Sequence, residues 1–253
     1  MIYSLPYLVL ICIYGIFAIW FEKNNNDIIH RRIVIFCFAL SIFFFGFRGF
    51  CFYDWNVYYV EYLHYNPIDL LKLPISSWPF EMGFTILMLG CKAIYNDYQF
   101  FVLVCSIIDI TLLFSFLKKY INNIPLAIII CLCMNGLGIL TDLMRNSIAI
   151  LIVANALVWI EKRKPLPFFL SCIVAFTFHI SAVIYFPLYF FLHCKLNKWI
   201  YLSIFLAGNI VYLFHIPVFL SIVELVAKFI SSDLQYKIGE YMSLMPDAGF
   251  RLS

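Results

Sequence analysis

The segment 48–61, RGFCFYDWNVYYVE, places charged side chains among aromatic rings directly after a hydrophobic run. Arg48 can donate to phosphate oxygens. Asp54 can bind sugar hydroxyls, act as a base, or pair with Arg48. The aromatic residues alone favour membrane anchoring, because Trp and Tyr settle at the level of the lipid headgroups. Anchoring does not require an Arg and an Asp, so the segment favours a polar, ring-shaped, partly anionic substrate. The rings predicted to face its sugars belong to Trp55, Tyr58 and Tyr59.

Arg145 stands in TDLMRNSIAI, where the chain is predicted to enter a helix. A guanidinium matches phosphate oxygens with two parallel donors, and a helix N-terminus adds oriented backbone N–H groups. The sequence therefore predicts a phosphate ligand here. The alternative is a structural partner, either a lipid headgroup or Asp142.

Two further residues have types suited to acid–base chemistry. His179, in FTFHISAVIYFP, lies deep in an apolar run, where an ionisable residue is unfavourable and usually functional. An imidazole can take a proton from a hydroxyl near neutral pH, although a neutral histidine bonded to a helix carbonyl is the alternative. Glu81, in WPFEMGF, begins a short helix in which Gly83 permits close backbone approach. Its alternative is an ordinary first-turn acid, favoured by the helix dipole.

The composition places these residues in a membrane protein. Of 253 residues, 64% are hydrophobic and only 12% are charged, whereas soluble domains have about 25% charged residues. Long apolar runs recur, so the chain is predicted to be an all-α polytopic membrane protein. The net charge of +3 is spread over loops and indicates no nucleic-acid partner. The cysteines lack zinc-site spacing, and no metal or cofactor is predicted. Glycine-rich phosphate loops, HExxH and GxSxG are absent from the sequence.

Basic residues set the predicted topology, because they concentrate in cytoplasmic loops. The basic segments 22–32, 118–119 and 161–164 all become cytoplasmic if the 14-residue apolar run 82–95 does not cross the membrane. That run is therefore predicted to be a re-entrant or interfacial helix. The proline-containing segment 47–81 becomes an external loop that is not one continuous helix.

About seven to nine spans are predicted in a single transmembrane domain, residues 1–253. The run 166–192 is either one tilted span or a broken hairpin. The predicted apolar segments are 3–21, 33–46, 98–117, 125–140, 147–160, 166–192, 199–214 and 218–230.

Four motifs together resemble the motif set of the EpsG-like, Wzy-type polysaccharide polymerases. They are FRGFCFYDWNVYY, FEMGFTIL, LMRNSIAI and AFTFHISAVIYFPLY, and they cover roughly residues 45–190. The family pattern has an Arg followed by an Asp and aromatic residues, an acid-x-Gly-Phe, an Arg at the head of a helix, and a His-x-Ser-Ala. The matching positions are Arg48, Asp54, Glu81, Arg145 and His179.

The resemblance implies joining of lipid-linked oligosaccharide repeat units into O-antigen, capsule or exopolysaccharide. The growing chain would leave undecaprenyl diphosphate on the outer side of the bacterial cytoplasmic membrane. Implied partners are the lipid-linked oligosaccharide, the bilayer, and the chain-length regulator and flippase of the same pathway. The implied catalytic residues are His179, Asp54 and Glu81, and Arg48 and Arg145 would hold the diphosphate.

This sequence departs from the family pattern in two ways. The usual Gly before the acid of the first motif is replaced by Phe52-Tyr53. Family members also continue with more spans after a polar stretch like 231–253, so the chain is predicted to be shortened at its C-terminus. Two other functions stay open: a lipid-linked glycan flippase or transporter, and a membrane O-acyltransferase acting on surface glycan.

Overall fold

The computed structural model describes residues 5–51, 53–70, 72, 74–194 and 197–213. Helices and short helical turns, with no strands, make up this part of the chain. The α-helices are α1 Leu5–Lys23, α2 Asp27–Gly46, α3 Trp55–His64, α4 Pro67–Leu70, α5 Met82–Ile94, α6 Tyr98–Tyr120, α7 Ile124–Cys131, α8 Leu137–Thr141, α9 Met144–Glu161, α10 Pro165–Phe178, α11 Leu188–His193 and α12 Lys198–Leu213. Short turns are formed by Ile75–Ser77, Leu132–Gly136 and Ile180–Tyr185.

Five helical stretches among the described residues are long and apolar enough to cross a membrane. They are Leu5–Lys23, Asp27–Gly46, Tyr98–Tyr120, Ile124–Thr141 and Met144–Glu161. At most half of the most apolar window of each is buried inside the protein, so the remaining apolar surface is free to face lipid. The predicted all-α polytopic membrane fold is therefore confirmed. Residues 199–213 of the predicted span 199–214 lie in α12, whereas residue 214 and the predicted span 218–230 lie outside the described residues.

Polar residues begin several of these helices. The side chain of Asn26 accepts a hydrogen bond from the Ile28 N–H at the start of α2. Asp97 accepts from the Gln99 and Phe100 N–H groups at the start of α6, and Asn123 accepts from Leu126 N–H in α7. Such caps satisfy N–H groups that have no partner within the helix.

The predicted continuous run 125–140 is interrupted by a π-helical turn at Leu132–Gly136. Asn135 there has a φ of 67°, in the left-handed region. A Cβ on Gly136 would collide with the Cys131 carbonyl oxygen, so the turn needs a residue without a side chain. Sequence periodicity does not show this turn, because the residues on both sides are apolar.

Both ends of α5 lie at the same end of the helix bundle. At its start, Glu81 pairs with Arg145 in the first turn of α9. At its other end, Lys92 donates to the carbonyls at the end of α3. Shortly afterwards Gln99, in the first turn of α6, donates to the Gly46 carbonyl at the end of α2. The helix therefore returns to the end of the bundle from which it started, as predicted for a re-entrant or interfacial helix.

The segment 47–81 contains α3, α4 and the turn Ile75–Ser77, so it is not one continuous helix, as its prolines predict. The run 166–192 is likewise broken. The helix α10 ends at Phe178, His179 has extended backbone angles, and a 3-10 turn follows. Among the described residues, those from 5 to 192 belong to one compact unit, and those from 193 to 213, which include α12, belong to a second.

Candidate active site

The centre of the site is a carboxylate held between an arginine and a histidine. Glu81 Oε2 accepts a hydrogen bond from Arg145 Nη1 at 2.7 Å. Glu81 Oε1 lies 3.0 Å from His179 Nδ1 and also accepts the Ile180 N–H at 3.1 Å. The three side chains come from the start of α5, the first turn of α9 and the break after α10. Each is between 21% and 24% exposed, so the group is accessible from outside the protein.

Burial by itself would raise the pKa of Glu81. The hydrogen bond from His179 and the charge of Arg145 outweigh it, and the pKa falls from 4.5 to about 2. The carboxylate is therefore ionised at neutral pH. An ionised carboxylate can only accept hydrogen bonds, so this contact requires a proton on His179 Nδ1; in the neutral imidazole the lone pair then lies on Nε2. No described residue forms a hydrogen bond with His179 Nε2.

Gly83 explains how α5 and α10 come close enough for this contact. A Cβ on Gly83 would collide with Thr177 Oγ1 and would lie 2.9 Å from the Thr177 carbonyl oxygen. The start of α5 therefore packs backbone against backbone on the last turn of α10, two residues before His179. The close approach expected from Gly83 is confirmed.

Two aromatic rings pack against the guanidinium group of Arg145. Its guanidinium carbon lies 4.7 Å from the centroid of Phe80 and 5.7 Å from that of Tyr58. Such cation–π contacts fix the orientation of the guanidinium. Burial raises the pKa of Tyr58, and the nearby charge of Arg145 acts in the opposite direction. Arg145 Nε is buried and has no hydrogen-bond partner among the described residues.

Asp54 lies close enough to Arg145 and Asp142 for both of their charges to shift the pKa of its carboxyl group. Burial and the neighbouring Asp142 carboxylate raise the pKa of Asp54, whereas Arg145 opposes that rise. Asp142 Oδ1 accepts the backbone N–H groups of Tyr53 and Asp54 at 3.0 and 2.8 Å. Asp142 therefore fixes the backbone at the start of α3. The ion-pair partner of Arg145 is Glu81.

Arg48, Trp55 and Tyr59 line a cavity of about 400 Å³ in the same compact unit. Arg48 Nη1 donates to the Leu140 carbonyl at 2.5 Å, at the end of α8. No ion pair links Arg48 to Asp54 among the described residues. Met144 also lines the cavity and directly precedes Arg145. The cavity therefore adjoins the group of Glu81, Arg145 and His179, here called the Glu81 cluster.

The structure thus groups the predicted site residues into two neighbouring sets. The first set is Glu81, Arg145, His179 and Tyr58, with Asp54 nearby, and the second is Arg48, Trp55 and Tyr59. The contact of Phe80 with Arg145 was not predicted, although Phe80 directly precedes Glu81 in WPFEMGF. The hydrogen bonds from Asp142 to the start of α3 were not predicted either, and the sequence carries no signal for them. Among the described residues, no three His, Cys, Asp or Glu side chains converge to hold a metal ion.

The family model described as the EpsG family matches residues 31–245, a region that includes every residue of both sets. A search of curated proteins and a search of solved structures found no match to this chain.

Proposed function

This chain belongs to the EpsG family, and we propose that it polymerises lipid-linked oligosaccharide repeat units into a surface polysaccharide. The family places the chain in polysaccharide biosynthesis, and its span-length helices place it in a membrane. The proposed reaction is glycosyl transfer from an undecaprenyl-diphosphate carrier on the outer side of the cytoplasmic membrane. The observation that carries the proposal is the Glu81 carboxylate, which contacts both Arg145 and His179.

His179 is the proposed general base. With its proton on Nδ1 and bonded to Glu81, the imidazole keeps Nε2 free to accept a proton. The acceptor hydroxyl oxygen attacks the anomeric carbon of the donor while its proton passes to Nε2. The bond between that carbon and the diphosphate oxygen breaks, and the diphosphate leaves with the bonding electrons. Glu81 acts through His179 by fixing its tautomer and stabilising the imidazolium that forms.

Arg145 is the proposed ligand of the departing diphosphate. One of its donors contacts Glu81, and its buried Nε has no partner among the described residues. A fixed guanidinium stabilises negative charge as it develops on the leaving group. Arg48 is the second proposed cation, on the side of the cavity formed by the end of α8.

The remaining predicted residues are assigned to the sugars. Asp54 is proposed as a second carboxylate that contacts sugar hydroxyls, since its side chain makes no capping hydrogen bond at the start of α3. Trp55 and Tyr59 line the cavity and offer ring faces to a sugar, and Tyr58 lies beside Arg145.

The test is a polymerisation assay with purified protein in liposomes and the lipid-linked repeat unit from the producing strain. Removing a general base typically lowers the rate by about 10²–10⁴-fold. His179→Gln should therefore bind the lipid-linked donor and extend it very slowly. His64→Gln is the matched control, because His64 is exposed and its ring packs edge to face on Tyr65, away from the Glu81 contacts. Polymer formed at the wild-type rate by His179→Gln would exclude His179 as the base.

Lipid analysis of a deletion strain separates the proposed function from its two alternatives. Loss of a polymerase leaves single repeat units on the lipid carrier at the outer face. Loss of a flippase leaves them at the inner face, and loss of an acyltransferase leaves polymer that lacks its acyl group. Either of the last two results would overturn the proposal.

A further inference from the structure

A second groove lies between α2 and α6. The two helices run antiparallel, because Gln99 in the first turn of α6 donates to the Gly46 carbonyl at the end of α2. Further along, the rings of Phe38 and Phe114 pack edge to face with centroids 5.2 Å apart. The groove therefore lies between the first half of α2 and the last turns of α6, away from the Glu81 cluster. Its volume is about 380 Å³, and its lining residues are Val34, Ile35, Phe38, Thr111, Phe114, Ser115 and Lys118.

Two hydroxyl groups in this groove differ from the other hydroxyls of the membrane helices. The five span-length helices contain six serine and threonine residues. Four of them donate to a protein oxygen, and these are Ser41, Ser106, Thr141 and Ser147. The other two, Thr111 and Ser115, are exposed, line the groove and have no hydrogen-bond partner among the described residues. An unpaired hydroxyl is unfavourable in an apolar environment, so the groove calls for an occupant with hydrogen-bond acceptors.

Basic side chains stand at one end of the groove. Lys118 lines it three residues beyond Ser115 and forms no ion pair with a described residue. Its neighbour Lys119 instead donates to the backbone and side-chain oxygens of Asn155 in α9. On α2, Arg31 is exposed, lies one turn before the lining residues and so continues the same face of the helix. None of the lining residues is acidic, so this end of the groove attracts an anion.

The order of these groups matches one class of molecule. Along α6, Ser115 and Thr111 lie about 4.5 and 10.5 Å deeper than Lys118, at a rise of about 1.5 Å per residue. A diacyl phospholipid presents a phosphate, then ester carbonyls that accept hydrogen bonds, then apolar chains. Its headgroup layer is about 5–8 Å thick on each side of a bilayer, which matches the step from the cation to the hydroxyls. A free anion would leave the hydroxyls and the apolar wall of α2 uncovered.

We propose that this groove binds one anionic diacyl phospholipid of the surrounding bilayer as a specific ligand. The phosphate lies between Lys118 and Arg31, as in other basic pockets between membrane helices. The ester carbonyls accept hydrogen bonds from Ser115 and Thr111, and one acyl chain lies along the apolar wall formed by α2. The proposal does not rest on the proposed function, because the groove contains none of the proposed site residues.

The test measures lipid retention by the purified, delipidated full chain with native mass spectrometry, which also detects dimers. Phosphatidylglycerol is the anionic probe, and phosphatidylethanolamine with the same acyl chains is the zwitterionic probe. The wild type should retain one phosphatidylglycerol molecule more tightly than phosphatidylethanolamine. Arg31→Gln/Lys118→Gln should weaken phosphatidylglycerol binding by about twentyfold, because each basic residue near anionic lipid contributes about fivefold. Thr111→Val/Ser115→Ala should weaken binding of both lipids by about fivefold or more.

Matched controls separate the groove from the rest of the surface. Lys119→Gln removes a neighbouring positive charge that is directed at α9, and it should leave phosphatidylglycerol binding nearly unchanged. Ser171→Ala removes a hydroxyl that is already bonded to the Pro167 carbonyl in α10, and it should also keep full binding. The substituted groove residues are exposed, so both double variants should unfold at the wild-type temperature without lipid. Phosphatidylglycerol should then raise the unfolding temperature of the wild type more than that of either double variant.

Three results would overturn the lipid site. Equal retention of the two lipids by the wild type would reduce the contact to ordinary surrounding lipid. Undiminished phosphatidylglycerol binding by either double variant would show that the groove is not where the lipid binds. A dimer that persists in phosphatidylglycerol and is abolished by Thr111→Val/Ser115→Ala would assign the groove to a second copy of the chain.

Discussion

The role of Glu81 depends on the residues that contact it in the folded protein. In sequence it is an acid at the start of a short helix, a position that the helix dipole alone explains. In the structure it contacts Arg145 and His179, which lie 64 and 98 residues further along the chain. The sequence predicts the placement of each residue, because a helix start and an apolar run are local features. It does not predict that they meet, because their meeting depends on how α5, α9 and α10 pack.

The ion pair of Glu81 predicts a pH-dependent stability. Its pKa of about 2 in the folded protein lies below the ordinary value of 4.5, so the ionised form stabilises the fold above pH 4.5. This stabilisation is lost as the pH falls from 4.5 through 2. Glu81→Gln should therefore lower stability by about 1–3 kcal/mol at pH 7, and the difference from the wild type should shrink at pH 4 and again at pH 3.

Thermal unfolding in detergent at these three pH values measures the effect. Glu61→Gln is the control, because Glu61 forms no ion pair among the described residues. A difference between Glu81→Gln and the wild type that is as large at pH 3 as at pH 7 would contradict the assignment.

A second residue-scale prediction concerns Arg145→Lys. Lysine keeps the charge but loses the planar fork and the packing of the guanidinium on Phe80. One hydrogen bond to a charged group contributes about 1.5–3 kcal/mol, so polymerisation should slow by about tenfold or more. Protein abundance should stay near normal. Arg163→Lys, in the loop after α9, is the control and should keep full activity. If Arg145→Lys makes polymer of full length, Arg145 acts only as a positive charge or as a structural residue.

At the scale of elements, the contact between α5 and α10 decides whether Glu81 reaches His179. The sequence predicts the short helix α5 and identifies Gly83 as a position of close approach. It leaves 166–192 open between a tilted span and a broken hairpin, and the structure breaks this run at His179. At the break the Ile180 N–H and the His179 ring both contact the Glu81 carboxylate. The interruption of the helix therefore places His179 beside a polar group from α5.

Gly83→Ala tests this contact. The added methyl group would collide with Thr177 and push the start of α5 away from the end of α10. We expect lower thermal stability and a loss of polymerisation, because the bond between Glu81 and His179 lengthens. Gly90→Ala on the same helix is the matched control. A Cβ there meets nothing within 4 Å, so Ala should raise stability by up to about 1 kcal/mol through its higher helix propensity. Equal stability and activity of the two variants would show that the close approach is unimportant.

At the scale of the whole molecule, the helix directions agree with the charge pattern. The five span-length helices alternate in direction, and α5 returns to the end from which it started. The basic segments 22–32, 118–119 and 161–164 then lie together at one end of the bundle, and both sets of site residues lie at the other. Contacts support this grouping, because Asn123, after α6, donates to Ala18 and Glu22 at the end of α1. The sequence predicts this arrangement because the arrangement depends on the hydrophobicity of long segments and on the charges of the loops between them.

The last prediction places the site on the outer side of the membrane. Single cysteines are introduced into a background without reactive native cysteines, and intact cells are treated with a membrane-impermeant maleimide. Tyr53→Cys should be labelled from outside, because Tyr53 is 85% exposed and lies at the end of the bundle that carries the site. Arg163→Cys and Lys118→Cys should be labelled only after the cells are permeabilised, since the positive-inside rule places both positions in the cytoplasm. Strong labelling of Arg163→Cys in intact cells would reverse the topology. The Glu81 cluster would then face the cytoplasm, where a polymerase that extends chains at the outer surface could not use it.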